Sequence, residues 1–212
     1  HHATGDDSIA ATAVTDDQGL ARAWVGLGPG PGTDTVRVQA AGLEVVFSVV
    51  AEHAAAGDHY EGRSGYVTYV AGSVPIILTA PHGGTLEPAE IPDRSGGTQV
   101  RDADTDLLAE AIADSLEPRL GGRPHVIISL LHRRKLDPNR EIVEAAEGHP
   151  LAEQAWHEFH ALVEHASGRV EAEGPGLLVD VHGHGHKIER LELGYLLGAI
   201  DLARPDSDLI DP

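Results

Sequence analysis

Four apolar runs rich in β-formers, YVTYVAG (66–72), VPIILTA (74–80), PHVIISLL (124–131) and GLLVDVHG (176–183), constrain this chain most. Two long stretches with helical periodicity separate the last three. In 104–120, Leu107, Leu108, Ala111, Ile112 and Leu116 form one stripe, and in 151–173 Ala155, Phe159, Leu162, Val163 and Ala166 form another. Solidly apolar strands alternating with amphipathic helices specify an α/β domain around a largely parallel or mixed sheet. Asp102 or Asp104 is placed to cap the first helix.

Residues 8–52 are written differently. Short alternating runs, TVRVQA and LEVVFSVVA, are separated by DDQG, GPGPG and AG, the pattern of antiparallel strands joined by turns. The chain thus divides into a small β module over 1–55 and an α/β domain over 58–212, with the polar stretch 51–65 as the junction. His1-His2 reads as the remnant of a purification tag, and the lack of any Met as the mark of a fragment.

Charge narrows the partners. The formal net charge of -19 argues against nucleic acid, which needs clustered Lys and Arg to neutralise phosphates, and against anionic membrane surfaces. No run approaches the roughly 18 apolar residues of a membrane span. With no Cys, a metal site must be built from His, Asp and Glu, and a cysteine nucleophile is excluded.

Three such residues stand at strand ends. His82 follows VPIILTAP, Glu87 lies five residues on beyond Gly83-Gly84, and His182 closes GLLVDVHG. In open α/β sheets, sites form outside the carboxyl ends of strands, so these positions can converge. Two imidazoles and a carboxylate leave zinc a fourth position, the arithmetic of a catalytic rather than a structural site. The acidic RDADTD (101–106) can cap a helix, orient a ligand histidine or bind an ion itself. The run LLHRRKLDPNRE (130–141) collects His132, Arg133, Arg134, Lys135 and Arg140, a basic turn suited to a carboxylate.

PHGG-LEP, RD-DT-LA-AI, HRRKLDPNR, AW-E-H and LLVDVHGHGH followed by R-ELGYLL occur in that order over residues 62–200. Together they resemble the N-formylglutamate amidohydrolase-like family, and HGG-x-x-E is similar to phage-type poly-γ-glutamate hydrolases. Both belong to the zinc carboxypeptidase-like superfamily. The resemblance implies a phosphorylase/hydrolase-like three-layer α/β/α domain with a mixed sheet and one zinc ion per chain. It implies His82, Glu87 and His182 as ligands and Arg140 as partner of a substrate carboxylate, helped by Arg133 or Arg134. A glutamate from a late strand would take the proton of the attacking water. Glu192, alternating with Leu191 and Leu193, is the candidate and Glu189 the runner-up, while His184 and His186 fall to supporting or substrate-binding roles.

Residues 8–52 resemble the C-terminal half of a bacterial immunoglobulin-like domain of the invasin/intimin type, which implies an exported protein. The expected activity is hydrolysis of an amide or peptide bond in a small acidic N-acyl amino acid or peptide. The rivals are a catalytically degenerate adhesion module and a protein whose 14 histidines merely collect ions.

Overall fold

The computed structural model describes residue 12 and residues 14–21, 32–51, 54–188 and 190–194. Strands β1 (Gly32–Ala40) and β2 (Leu43–Ala51) form an antiparallel hairpin, as the alternation requires. Its turn is Ala41-Gly42, both with positive φ, the two-residue geometry that matches strand twist. Among the described elements the hairpin pairs with nothing else.

The remaining strands build one mixed sheet. β3 (His59–Glu61), β4 (Val67–Val70), β5 (Ile76–Ala80), β6 (His125–Ser129) and β7 (Leu177–Asp180) lie in the order β3-β4-β6-β5-β7. β5 runs parallel to both β6 and β7, while β3 and β4 are antiparallel additions. The stretch expected to be a junction therefore contributes a strand. Ala54, just upstream of it, already packs on the core, and its carbonyl accepts from Arg169.

Alternation along the strands divides the core in two. Val67, Tyr69, Ile77 and Ile127 pack against α3 (Pro150–Glu173) through Ala152, Ala155, Phe159 and Ala166. Their neighbours Val70, Leu78, Ala80, Val126 and Ile128 pack against α1 (Thr105–Leu120) through Ala109 and Ala113. The stripe read for α3 is the buried one, with Leu162 and Val163 at its margin. The stripe read for α1 is rotated. Leu107 and Leu108 are 62% and 46% exposed, and the helix buries Thr105, Ala109 and Ala113 instead. The face that meets the sheet carries the small Ala109 and Ala113, and the helix start lies against the 82–84 loop, where a Cβ on Gly83 would press on Asp106. Asp104 occupies the cap position of α1 without a side-chain capping bond. A short helix, α2 (Ile142–Ala146), was not expected from the sequence.

Candidate metal centre

The parallel register pairs Thr79 of β5 with Asp180 of β7, and the Val181 N–H donates to the Thr79 carbonyl (2.8 Å). Both strands then leave the sheet at the same carboxyl end, which delivers His82 and His182 side by side. Their Nδ1 atoms are 3.2 Å apart. Asp102, from the loop before α1, completes the group: its Oδ2 lies 3.0 Å from His182 Nδ1 and 3.4 Å from His82 Nδ1. The Asp102 N–H donates to the His82 carbonyl (3.0 Å), and a Cβ on Gly183 would crowd the Asp102 side chain, so the loop is seated against both histidines. These three residues can hold a metal ion.

Each imidazole has a carboxylate on its far nitrogen. His82 Nε2–H donates to Asp137 Oδ1 (2.6 Å), and His182 Nε2–H donates to Asp180 Oδ2 (2.8 Å). Burial alone would push the Asp137 carboxyl up, but hydrogen bonds from His82 and Arg133 outweigh it and hold that carboxyl well below the usual range. Asp180 is likewise lowered despite its burial, by hydrogen bonds from His182, Thr79 Oγ1 (2.6 Å) and Asn139 Nδ2 (2.6 Å). An ionised carboxylate only accepts, so Asp137 and Asp180 place a proton on each Nε2 and leave Nδ1 of each ring as the atom that can turn to an ion. These two nitrogens and the Asp102 carboxylate thus face one point. The His182 imidazole is raised above its ordinary value, chiefly by its hydrogen bond to Asp180, against burial, and then by Asp102.

Arginines back the anions. Arg133 Nε donates to Asp137 Oδ2 (3.0 Å) and its NH1 to Asp102 Oδ1 (3.4 Å). Arg94, buried, lies 3.7 Å from Asp137 Oδ2 and donates to the carbonyls of Thr98, Arg133 and Glu144. Lys135 is structural, donating to the Ile91 carbonyl and pairing with Asp93. Arg140 is half-exposed. Its Nε lies 4.0 Å from Asp137 and 3.5 Å from Glu144.

Two expected site residues keep other company. Glu87 does not join the two histidines; its carboxylate pairs with Arg134 (3.3 Å) and lies 3.8 Å from His132. After the glycines the chain bridges Leu86 to Leu131 and runs along the end of β6, the neighbour of β5 opposite to β7. A Cβ on Gly84 would collide with the Leu130 carbonyl, so the second glycine serves this close approach. Glu192 is not in a strand. It takes His186 Nδ1 (2.8 Å) and Arg190 Nε (2.6 Å), and these two, His186 first, hold its carboxyl below the ordinary value. His184 belongs with that group rather than with the metal centre. Glu189 lies outside the described residues.

Sequence reasoning missed Asp137 and Asp180. Asp180 had a signal: at i and i+2 along an extended chain, Asp180 and His182 project to one side. Asp137 had none beyond its place in a loop of basic residues. No family model matches the chain, and no curated protein or solved structure matches it. Among the described residues no helix is long and apolar enough to cross a membrane.

Proposed function

We propose that the chain is a zinc-dependent hydrolase of an amide or peptide bond in a small acidic substrate, with one catalytic zinc held by His82, Asp102 and His182. The observation that carries this reading is the convergence of three donor atoms spaced 3.2, 3.0 and 3.4 Å. Ligands about 2.0–2.1 Å from a tetrahedral zinc stand about 3.3–3.4 Å from one another, so the edges fit. The nitrogen donors favour zinc over magnesium or calcium, and the carboxylate behind each histidine is the arrangement that orients zinc-binding imidazoles. A bound zinc supplies Lewis acidity, polarising a carbonyl and lowering the pKa of water to about 7.

The chain's own groups supply the rest. Asp137 and Asp180 keep the protons on Nε2 and fix both rings. Arg133 and Arg94 neutralise the buried anions. Arg140, half-exposed and only loosely paired with Asp137 and Glu144, takes the substrate carboxylate as a planar fork. The packing of α1 and α3 on alternating strand residues agrees with a three-layer α/β/α domain of the phosphorylase/hydrolase-like kind. The hairpin, by its resemblance to an immunoglobulin-like module, goes with an exported protein.

A second reading is favoured by one observation, the engagement of Glu192 by Arg190 and His186. Without a proton acceptor the domain would be a zinc-holding binding module. Metal analysis of the dialysed protein, followed by turnover on N-formyl, N-acetyl and γ-linked glutamates, separates the two. One zinc equivalent with chelator-sensitive hydrolysis is expected. Zinc without turnover leaves the binding module, and a folded protein without zinc defeats both.

A further inference from the structure

The segment that leaves His182 carries a second donor set. His184, His186 and Glu192 are exposed, belong to no part of the centre described above, and bring one ligand atom each within 4.8 Å of the others. His184 Nε2 lies 2.6 Å from the Arg190 carbonyl. A carbonyl only accepts, so that nitrogen carries the proton, and the Nδ1 lone pair, which accepts a long bond from the His186 N–H (3.3 Å), is the one an ion would take over. The two rings are 5.0 Å apart and tilted by 35°, and His186 Nδ1 already meets Glu192 Oε1 at 2.8 Å. Arg190 Nε takes the same oxygen (2.6 Å), and a carboxylate has a second oxygen to offer.

We infer that His184, His186 and Glu192 form a second, solvent-facing site for a borderline divalent ion such as Zn²⁺, Ni²⁺ or Cu²⁺. Two imidazole nitrogens and one carboxylate select these ions over Ca²⁺ and Mg²⁺, which take oxygen ligands. The site is weaker than the first for three physical reasons. It is open to water, it has a carbonyl rather than a carboxylate behind His184, and Arg190 competes for its anion. All three ligands come from one short loop, so a bound ion ties its outgoing arm at 184–186 to its returning arm at 192. The ion therefore orders the stretch that directly follows His182. The inference does not rest on the hydrolase reading.

The test is a calorimetric titration of Zn²⁺ into the metal-stripped chain with His1 and His2 replaced by Ser, so that the terminal pair does not contribute. Two classes of site are expected, the second at least tenfold weaker. His186→Ala and, separately, Glu192→Gln should abolish the second class and leave the first within about twofold. These side chains are exposed, so the substitutions do not threaten the fold, and an unchanged thermal melt verifies that. Ca²⁺ should produce no heat at the second class. Whether the parent chain shows one class or two, the absence of any class that His186→Ala and Glu192→Gln abolish overturns the inference. Loss of the tight class in His82→Ala with the weak one retained supports it. A tight class that survives His82→Ala refutes the metal centre instead and leaves this site standing.

Discussion

His82 and His182 are a hundred residues apart in the chain, yet their Nδ1 atoms lie 3.2 Å from each other. The distance is a product of topology: β5 and β7 are parallel neighbours in register, and each strand hands over its histidine just past its carboxyl end. Nothing local holds the pair, so the integrity of this sheet edge and the affinity for metal are one property.

The choice of third ligand can be tested directly. Asp102→Asn keeps the shape of the side chain and removes its charge; zinc content should fall sharply. Glu87→Gln should leave zinc content unchanged, because Glu87 pairs with Arg134 and His132. Metal analysis of the two variants side by side decides. The reverse result, zinc lost in Glu87→Gln and kept in Asp102→Asn, would restore the ligand set expected from the family resemblance.

The carboxylates behind the histidines should separate affinity from stability. Asp180→Asn removes the charge behind His182 Nε2 at a partly buried position and should weaken zinc binding about 10–100-fold with little change in the melt. Asp137→Asn should weaken zinc binding and also destabilise the fold by about 3–5 kcal/mol, the range for breaking a buried ion pair, because Arg133 and Arg94 would lose their anion. Competition with a zinc chelator and urea unfolding measure the two effects. Equal destabilisation by both substitutions would mean that Asp180 serves the fold.

The two histidines were legible in the sequence because they follow apolar strands directly, and strand ends are where open sheets build sites. Asp102 was visible only as one of several acids, since loop residues converge by tertiary packing and leave no period. Glu87 stands apart from the two histidines for a related reason. Spacing from His82 suggests a return to the same point, but the bridge from Leu86 to Leu131 carries the chain along β6 instead. The α1 stripe misled because hydrophobicity alone ranks leucine above alanine, whereas the face that packs on the sheet is the one that carries Ala109 and Ala113. The four principal strands were readable as uninterrupted apolar runs, and the two long helices from their length and their apolar spacing. Strand β3 and helix α2 have three and five residues, too few to show such a pattern.

Arg140→Lys should impair use of acidic substrates more than the retained charge suggests. Lysine loses the planar pair of donors that grips a carboxylate. Arg140 is half-exposed and only loosely engaged by Asp137 and Glu144, so the fold should be unaffected. The expected outcome is a higher KM for substrates with a free carboxylate and no comparable change for their amidated counterparts. Equal loss for both would make Arg140 a structural residue.

The last prediction concerns His125, far from any proposed ligand role. Its ring is buried, and Nδ1 accepts from the Gly72 N–H (3.0 Å) and the Tyr69 hydroxyl (2.8 Å). Burial, then the charges of Arg169 and His165, push it down from 6.5 to about 4. Above pH 6.5 the imidazole is neutral in both folded and unfolded chains and contributes no pH dependence. Between 6.5 and about 4 the unfolded chain binds a proton that the folded chain refuses, so stability falls as pH falls. Below about 4 both states are protonated, and the accumulated loss levels off at roughly 3 kcal/mol. His125→Asn keeps an acceptor near the Nδ1 position and cannot titrate. It should cost some stability at pH 7 through lost ring packing, yet show a shallower decline between pH 6.5 and 4 than the parent. Urea unfolding of both proteins across that window, each stripped of metal, measures the difference. Parallel stability curves would show that His125 takes up its proton without disturbing the Tyr69–Gly72 contacts, and would transfer the acid sensitivity of the fold to other groups.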